Sequence, residues 1–488
     1  MANPPPKIRW AAFVAIALLA LAVRLPQLGE RPMHTDEAVN AYITGELLAG
    51  GKYHYDPQDR HGPVLYLLAK PVAQLCGAKN FSELTETQLR LSTVLAGTAT
   101  ILLFGAGAEM FGFIPCLVAA LLFAFAPMPV YYSRYFIHET LFVAVTLGLI
   151  LSSGRALQTN FLLPAALAGF CAALMLACKE TAVIHFFALG LAAVIGWRFQ
   201  SAEKIPPAKT WLAAALAFLV MTVLLFTWGG QNWPALADLL HAIPNFAARA
   251  GGEGHEKPFW YYALLIGDGW SGAAILSLAV LGIVRTTVRS PKNIFLAAYA
   301  VLVFAIYSAI PYKTPWLALN LWLPLAILAG VAVEWLWFAW PKFSARALIF
   351  IFIVAVGFLI AHDTRERVFQ IPADEENPYA YAHTGEDLLR LPARLEELAQ
   401  QNKISNPRIA VVAADAWPLP WYLRKFSQVG FWQPDQKTGD ADFFITTTDV
   451  SGELAARLKN FRPEFFGWRP NVLLILWVPE NPTASKQP

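Results

Sequence analysis

Apolar runs separated by short polar breaks dominate the first three quarters of the chain. Runs long enough to cross a bilayer need about 17–25 residues. They fall near 9–28, 88–108, 112–131, 136–154, 161–178, 181–197, 210–229, 259–283, 293–311, 316–338 and 345–361. The pattern predicts about eleven transmembrane helices. Residues 63–77 form an apolar run too short to span, read as a re-entrant or interfacial segment. Residues 35–49 carry Ala38, Val39, Tyr42, Ile43 and Leu47 at roughly helical spacing, with Thr35 as the expected N-cap and Gly50-Gly51 as the stop. That predicts a short amphipathic helix on the outer membrane surface. After residue 361 the pattern changes. Arg408–Ala413, Phe443–Thr447 and Asn471–Trp477 read as strands, and 384–401, 417–425 and 449–459 as helices. The expected fold is therefore a polytopic α-helical membrane region, 1–361, followed by a small soluble α/β domain, 362–488.

Composition supports that division. Hydrophobic residues make up 57% of the 488 and charged residues 15%, whereas soluble domains carry about 25% charged residues. The tail holds roughly that soluble share, while the earlier region holds roughly a ninth. A soluble enzyme and a disordered chain are both excluded. The net charge of +3 is too balanced for a nucleic-acid partner. The four cysteines, Cys76, Cys116, Cys171 and Cys178, show neither zinc spacing nor a disulfide framework and read as small buried hydrophobes. The first apolar run follows Lys7 and Arg9; many spans come after it, so it reads as a span rather than a cleaved signal.

Basic residues set the orientation. Alternate loops carry Lys7 and Arg9, then Glu109 alone, then Arg155, then Arg198, Lys204 and Lys209, then Arg285, Arg289 and Lys292, then Lys342 and Arg346. These loops should be cytoplasmic. The other set, including a long first loop 29–87, should face outward at the cell (inner) membrane, and an odd number of spans places the tail domain there too.

The outer set holds the unusual polar residues. His34, Asp36 and Glu37 open the predicted loop helix, where the helix dipole favours a carboxylate. Tyr55, Asp56, Asp59 and His61 follow, with His61-Gly62-Pro63 as a turn. Arg134, His138 and Glu139 lie at the start of an apolar run, Lys179 and Glu180 interrupt another, and Lys313 sits between Pro311 and Pro315. Ionisable residues at span ends are site candidates by default. Helix-start charges, a hairpin Lys-Glu pair and interface anchoring would also account for them singly. Their shared side argues for one site, whereas transporters bind nearer the bilayer midplane.

Carboxylates beside separate cations at a membrane rim suit transfer of a sugar from a polyprenyl-phosphate donor. Cations such as Arg134, Lys179 or Lys313 would meet the leaving phosphate, and Asp36 could take the proton of an acceptor hydroxyl. A single displacement inverts the anomeric centre. No Gly-rich nucleotide loop is present. A divalent metal held by Asp36, Glu37, His34, His138 and Glu139 is compatible with these residue types but lacks a metal-ligand spacing. The histidines otherwise serve as hydrogen-bonding partners of the sugar or carboxylates.

These motifs resemble the superfamily of dolichyl-phosphate-mannose protein mannosyltransferases and lipid A arabinose transferases, with the type C glycosyltransferase fold, and most of all its flippase-activity-associated branch. His34-Thr35-Asp36-Glu37, Tyr55-Asp56, His61-Gly62-Pro63, Tyr132-Ser133-Arg134, Glu139, Lys179-Glu180 and Lys313-Thr314-Pro315-Trp316 carry the likeness in family order. The resemblance implies that Asp36 is the catalytic base, Glu139 the second acidic position and Lys313 the contact to the lipid phosphate. The family often has Asp after Asn at the second position; here it is His138-Glu139, one methylene longer. The implied reaction moves a hexose or pentose to a lipid, glycan or protein acceptor. The rival readings are a lipid-linked-sugar flippase and a non-catalytic partner of a polysaccharide assembly complex. In the tail, Asp415–Tyr422 is aromatic enough to bind sugar or acceptor, although core packing explains it better.

Overall fold

A computed structural model describes residues 4–58, 60–199, 206–252, 254–286, 290–448 and 452–480. Asp59, Lys204 and Arg289 lie outside the described residues. In chain order the helices of the first 365 residues are α1 (Pro6–Arg24), α2 (Thr35–Leu48), α3 (Val64–Leu75), α4 (Glu86–Phe111), α5 (Phe113–Phe125), α6 (Pro127–Ser133), α7 (Glu139–Thr159), α8 (Leu162–Leu176), α9 (Ala182–Arg198), α10 (Ala208–Phe226), α11 (Ala235–Arg249), α12 (Tyr261–Ile266), α13 (Gly269–Thr286), α14 (Pro291–Ala309), α15 (Ala318–Ala339) and α16 (Phe343–Arg365). All eleven expected apolar runs are helical, two of them divided, one between α5 and α6 and one between α12 and α13. Eight helices among the described residues are long and apolar enough to span, or nine if α5 and α6 make one span bent by 60°. The bend has a local cause: Ala126 is extended (φ −69°, ψ 146°), as a residue before proline prefers. Helices α8 and α9, with 15 and 17 residues, are apolar but shorter than the eight. The chain is a multi-pass membrane protein.

Contacts divide the chain into two compact units. The first holds Met1–Leu28, Lys52–Val72 and Leu89–Gln370; the second holds Gly29–Gly51, Ala73–Gln88 and Ile371–Pro488. In the first, α15 is apolar all round and its span is wholly buried, packed by α5, α7, α13 and α14. Gly282 permits the approach of α13: a Cβ there would lie 2.0 Å from the Leu328 carbonyl oxygen. Peripheral α16 instead exposes Phe343, Leu348, Phe350 and Phe358, as a lipid-facing helix must. At one end of this unit Glu109 bonds Arg9 at 2.8 Å and lies 3.6 Å from Arg155. The acidic exception among the basic loops is thus neutralised by two of its basic neighbours. Sixteen positions separate Glu139 from Arg155 on α7, about 24 Å of helix rise, so the two lie toward opposite ends of that helix.

The second unit contains a five-stranded mixed sheet. Its strands are β1 (Arg408–Val412), β2 (Gln428–Trp432), β3 (Phe443–Thr446), β4 (Phe461–Arg469) and β5 (Val472–Pro479), in the order β2-β1-β3-β5-β4. Strand β1 runs parallel to β2 and β3, pairing Ile409 with Val429 and Phe443; β5 is antiparallel to β3 and β4. Helices α17 (Leu391–Gln401), α18 (Leu419–Tyr422) and α19 (Gly452–Arg457) complete the fold. Ala410, Val412, Phe444, Leu454 and Leu458 form one core cluster. Helix α2 was expected on the membrane surface. Its residues Ala38, Ala41, Ile43 and Leu47 are instead buried within this unit, and Tyr42 packs edge-on against Phe81 and Trp417.

Candidate active site

The first acidic motif lies in the second unit. His34, not Thr35, caps α2: its backbone is extended and its ring accepts from the Asp36 amide at 3.1 Å, while Glu37 Oε2 accepts from the His34 amide at 3.2 Å. This is a reciprocal capping box. His34 Nε2 also lies 3.1 Å from the Tyr381 carbonyl oxygen. A carbonyl can only accept, so Nε2 carries the proton and Nδ1 keeps its lone pair for the cap. Burial holds His34 below the ordinary imidazole range, which favours that neutral ring. Glu37, fully buried, pairs with Arg31 at 3.2 Å. Asp36 is half-buried at the second helical position, and its carboxylate makes no side-chain hydrogen bond among the described residues. It is the carboxylate of this motif left available to a reactant.

The remaining motifs lie in the first unit, where Asp56 is exposed and accepts from the Gln58 amide at 2.9 Å, closing a turn. Lys179 and Glu180, adjacent in the turn between α8 and α9, reach different partners. Lys179 forms an ion pair with Glu139 in the first turn of α7, the glutamate being 1% exposed. Glu180 Oε2 lies 2.6 Å from His61 Nδ1, and its Oε1 accepts from Tyr55 Oη at 2.9 Å. Burial raises the Glu180 carboxyl, but the His61 charge and the bonds from His61 and Tyr55 outweigh it and bring it down to about 2. The His61 ring packs edge-on against His138, centroids 5.0 Å apart. Burial, then the charges of His61 and Lys179, hold His138 well below its ordinary value, so it is neutral. Gly62 makes this approach feasible: a Cβ would stand 2.3 Å from the Ala177 carbonyl oxygen, which Val64 N bonds at 3.3 Å.

Lys313 is 1% exposed. Its ammonium donates to the carbonyls of Ile310 and, at 3.1 Å, Lys257, and no carboxylate pairs with it among the described residues. Its own backbone is tied to His255 at 3.0 Å, beside a Glu256–Tyr312 bridge. Burial lowers its pKa. Arg134 has a structural engagement: its guanidinium donates to the carbonyls of Arg24, Pro26 and Gln27 and lies over the Phe369 ring.

The residues considered for a metal are largely engaged within the chain. Both His34 nitrogens are bonded, Glu37 holds Arg31, and Glu139 holds Lys179. Among the described residues, the group whose ligand atoms lie close enough to share an ion is His362, Asp363 and Glu366 at the end of α16, where Asp363 already accepts from Ser271. Sequence reading missed Arg31, Tyr381, His383 and Arg469, all around His34 or Thr35. Arg31, three residues before His34, was within local reach; the other three stand more than 340 positions from the motif, so no local signal pointed to them.

Residues 60–228 match the family model described as dolichyl-phosphate-mannose-protein mannosyltransferase. That segment contains His61, Arg134, His138, Glu139, Lys179 and Glu180. No curated protein matches the chain in sequence. Among solved structures, ArnT from Cupriavidus metallidurans bound to undecaprenyl phosphate matches with a TM-score of 0.65 at 15% identity, covering 96% of this chain and 97% of that one. The fold is that of a type C glycosyltransferase. The archaeal oligosaccharyltransferase AglB from Archaeoglobus fulgidus, in complex with an inhibitory peptide and a dolichol-phosphate, matches at 0.56 with 11% identity over 98% of this chain and 77% of that one. Arabinofuranosyltransferase AftD from Mycobacteria matches at 0.50 with 14% identity, over 92% and 36%. The structural match to ArnT covers 96% of this chain, whereas the family model covers residues 60–228.

Proposed function

We propose that the chain is a membrane glycosyltransferase that moves a hexose or pentose from a polyprenyl phosphate to an acceptor hydroxyl at the extracytoplasmic face of the cell membrane. The observation that carries this reading is the family-model match across 60–228, because it spans both Glu139 and Lys179, buried ionisable residues that a membrane scaffold has no need of. The likeness in fold to ArnT supports the lipid-phosphate donor. Asp36 takes the proton of the acceptor hydroxyl. The acceptor oxygen forms a bond to the anomeric carbon as the bond from that carbon to the phosphate oxygen breaks, with inversion, and the polyprenyl phosphate leaves with the bond's electron pair. Lys313 stabilises the charge on the leaving phosphate, and Arg134 and Lys179 are further cations of the same set. In the first unit Glu139, with His61, His138, Tyr55, Asp56 and Glu180, shapes the sugar site; in the second, His34 and Glu37 hold the turn that carries Asp36. The acceptor is a lipid, glycan or protein hydroxyl, and the tail domain faces outward with the loops of the site.

Replacing Asp36 by Asn keeps the shape and removes the base. In the purified protein, the Asp36→Asn variant should fold and bind donor while transfer to acceptor, read by mass spectrometry, falls by about 10²–10⁴-fold. Unchanged turnover would remove the proposed base.

A further inference from the structure

Residues 31–37, which carry the proposed base, are held by residues more than 340 positions later. Within the second unit, Tyr422 Oη accepts from the Met33 amide at 2.8 Å, and Thr384 Oγ1 donates to the Met33 carbonyl at 2.7 Å. His34 Nε2–H meets the Tyr381 carbonyl at 3.1 Å, and the His383 ring lies 5.6 Å from the His34 ring. Arg469, at the end of β4, donates from Nη2 to Thr35 Oγ1 at 3.2 Å; it is itself held by Asp415 at 3.1 Å and by the Trp417 carbonyl. The aromatic stretch Asp415–Tyr422 supports the same segment: Trp417 packs on Tyr42 of α2, and Trp421 donates to Glu86 Oε1 at 2.7 Å.

We infer that the carboxy-terminal α/β domain is a clamp that sets the first turn of α2, with Arg469 as the positioning residue for Asp36. The inference rests on the reading of Asp36 as the base. Asp36 has no side-chain partner of its own among the described residues, so its direction follows from the backbone of α2. The first turn of a helix has unsatisfied amides and is where a helix frays. Here that turn is fixed on one side by the His34–Glu37 box and on the other by contacts to the tail. Removing Arg469 frees Thr35, the residue before the base, while leaving every proposed substrate contact in place. A displacement of about 1 Å at a reacting group costs roughly 10²-fold in rate, so a loose clamp lowers kcat without removing a binding group.

The test uses the full-length protein in lipid nanodiscs, with Arg469→Ala, Arg469→Lys, Tyr422→Phe and a control, Arg394→Ala. Arg394 pairs with Glu464 at 2.8 and 2.7 Å in the same domain and touches nothing in 31–37. Hydrogen–deuterium exchange of amides 34–38 should quicken about tenfold in Arg469→Ala, less in Tyr422→Phe, and not in the control. The kcat of Arg469→Ala should fall about ten- to a hundredfold with a donor KM changed less than about threefold. Arg469→Lys should recover part of the rate. Unchanged exchange in both Arg469→Ala and Tyr422→Phe would overturn the clamp, as would equal loosening in Arg394→Ala. Faster exchange in a protein whose wild type transfers no polyprenyl-phosphate sugar would uphold the clamp and sink the transferase reading instead.

Discussion

The Glu139–Lys179 ion pair gives the sharpest quantitative test. The glutamate side chain is 2% exposed and the lysine 12%, so neither charge can turn wholly to water when the other is removed. In Lys179→Met the carboxylate stays in the protein without its counter-ion. Breaking a buried pair from one side costs about 3–5 kcal/mol. In Glu139→Gln the ammonium sits nearer the surface and can lean outward, so the loss should be smaller, about 1–3 kcal/mol. The double variant removes both charges and leaves two neutral side chains of similar shape, which is often close to neutral. The two mutations should therefore be strongly non-additive, with a coupling near the sum of the two single losses, about 4–8 kcal/mol, or roughly 10³–10⁶-fold in an equilibrium constant. Reversible unfolding of the four proteins in mixed micelles measures this cycle. Transfer should be reduced in all three variants, since the double change restores stability but not the carboxylate. Energies that add within about 0.5 kcal/mol would mean that the pair is not coupled in the folded membrane protein, and the placement of Glu139 in a closed polar site would fall with it.

Two further outcomes follow from single side chains. Gly62→Ala places a carbon 2.3 Å from the Ala177 carbonyl oxygen, so the loop must shift by about 1 Å and the His61–Glu180 bond opens; transfer should fall about ten- to a hundredfold with donor binding weakened, and a fully active variant would show that this loop has no part in the site. His34 is held below the ordinary imidazole value of about 6.5, so the folded state takes up its proton less readily than the unfolded chain. The stability it contributes is complete above that value and declines as pH falls below it. Melting temperatures from pH 8 to pH 5 should therefore drop in the wild type and stay flatter in His34→Asn, which caps a helix without titrating; a wild type stabilised by acid would contradict the cap.

What was legible in the sequence depends on whether a residue answers to its surroundings in general or to one distant partner. The apolar runs are of the first kind. Lipid offers no hydrogen bonds, so every such run must close its own as a helix, and all eleven are helical. Even there, Pro127 was available as a sign that 112–131 breaks, and it marks the 60° bend. The tail sheet follows the same logic. Strands β1 and β3 are central and almost wholly buried, so they read as continuous apolar runs. The strands that went unread, β2 and β4, are the two edges of the sheet. An edge strand mixes exposed with buried positions and tolerates Pro463, so it imitates a loop. The cap of α2 lies between the two cases. Counting three residues back from Glu37 leads to His34, but His is not among the favoured caps, and only the Tyr381 carbonyl, by holding Nε2–H, frees Nδ1 to accept.

The site residues are of the second kind. An ionisable residue at a span end announces that it has a partner without saying which one. Lys179 and Glu180 look like a hairpin pair, yet one reaches Glu139 and the other His61 and Tyr55, because successive residues in a tight turn point to different sides. The same limit hides Arg469, whose bond to Thr35 spans more than 430 positions. It also hides the grouping of Gly29–Gly51 with the tail, although the charge shift near residue 361 was plain. A composition boundary marks where the solvent of the chain changes; it does not mark which residues fold together. The Asp36 motif and the tail belong to one compact unit, so the role proposed for Asp36 draws in the tail residues that hold its turn.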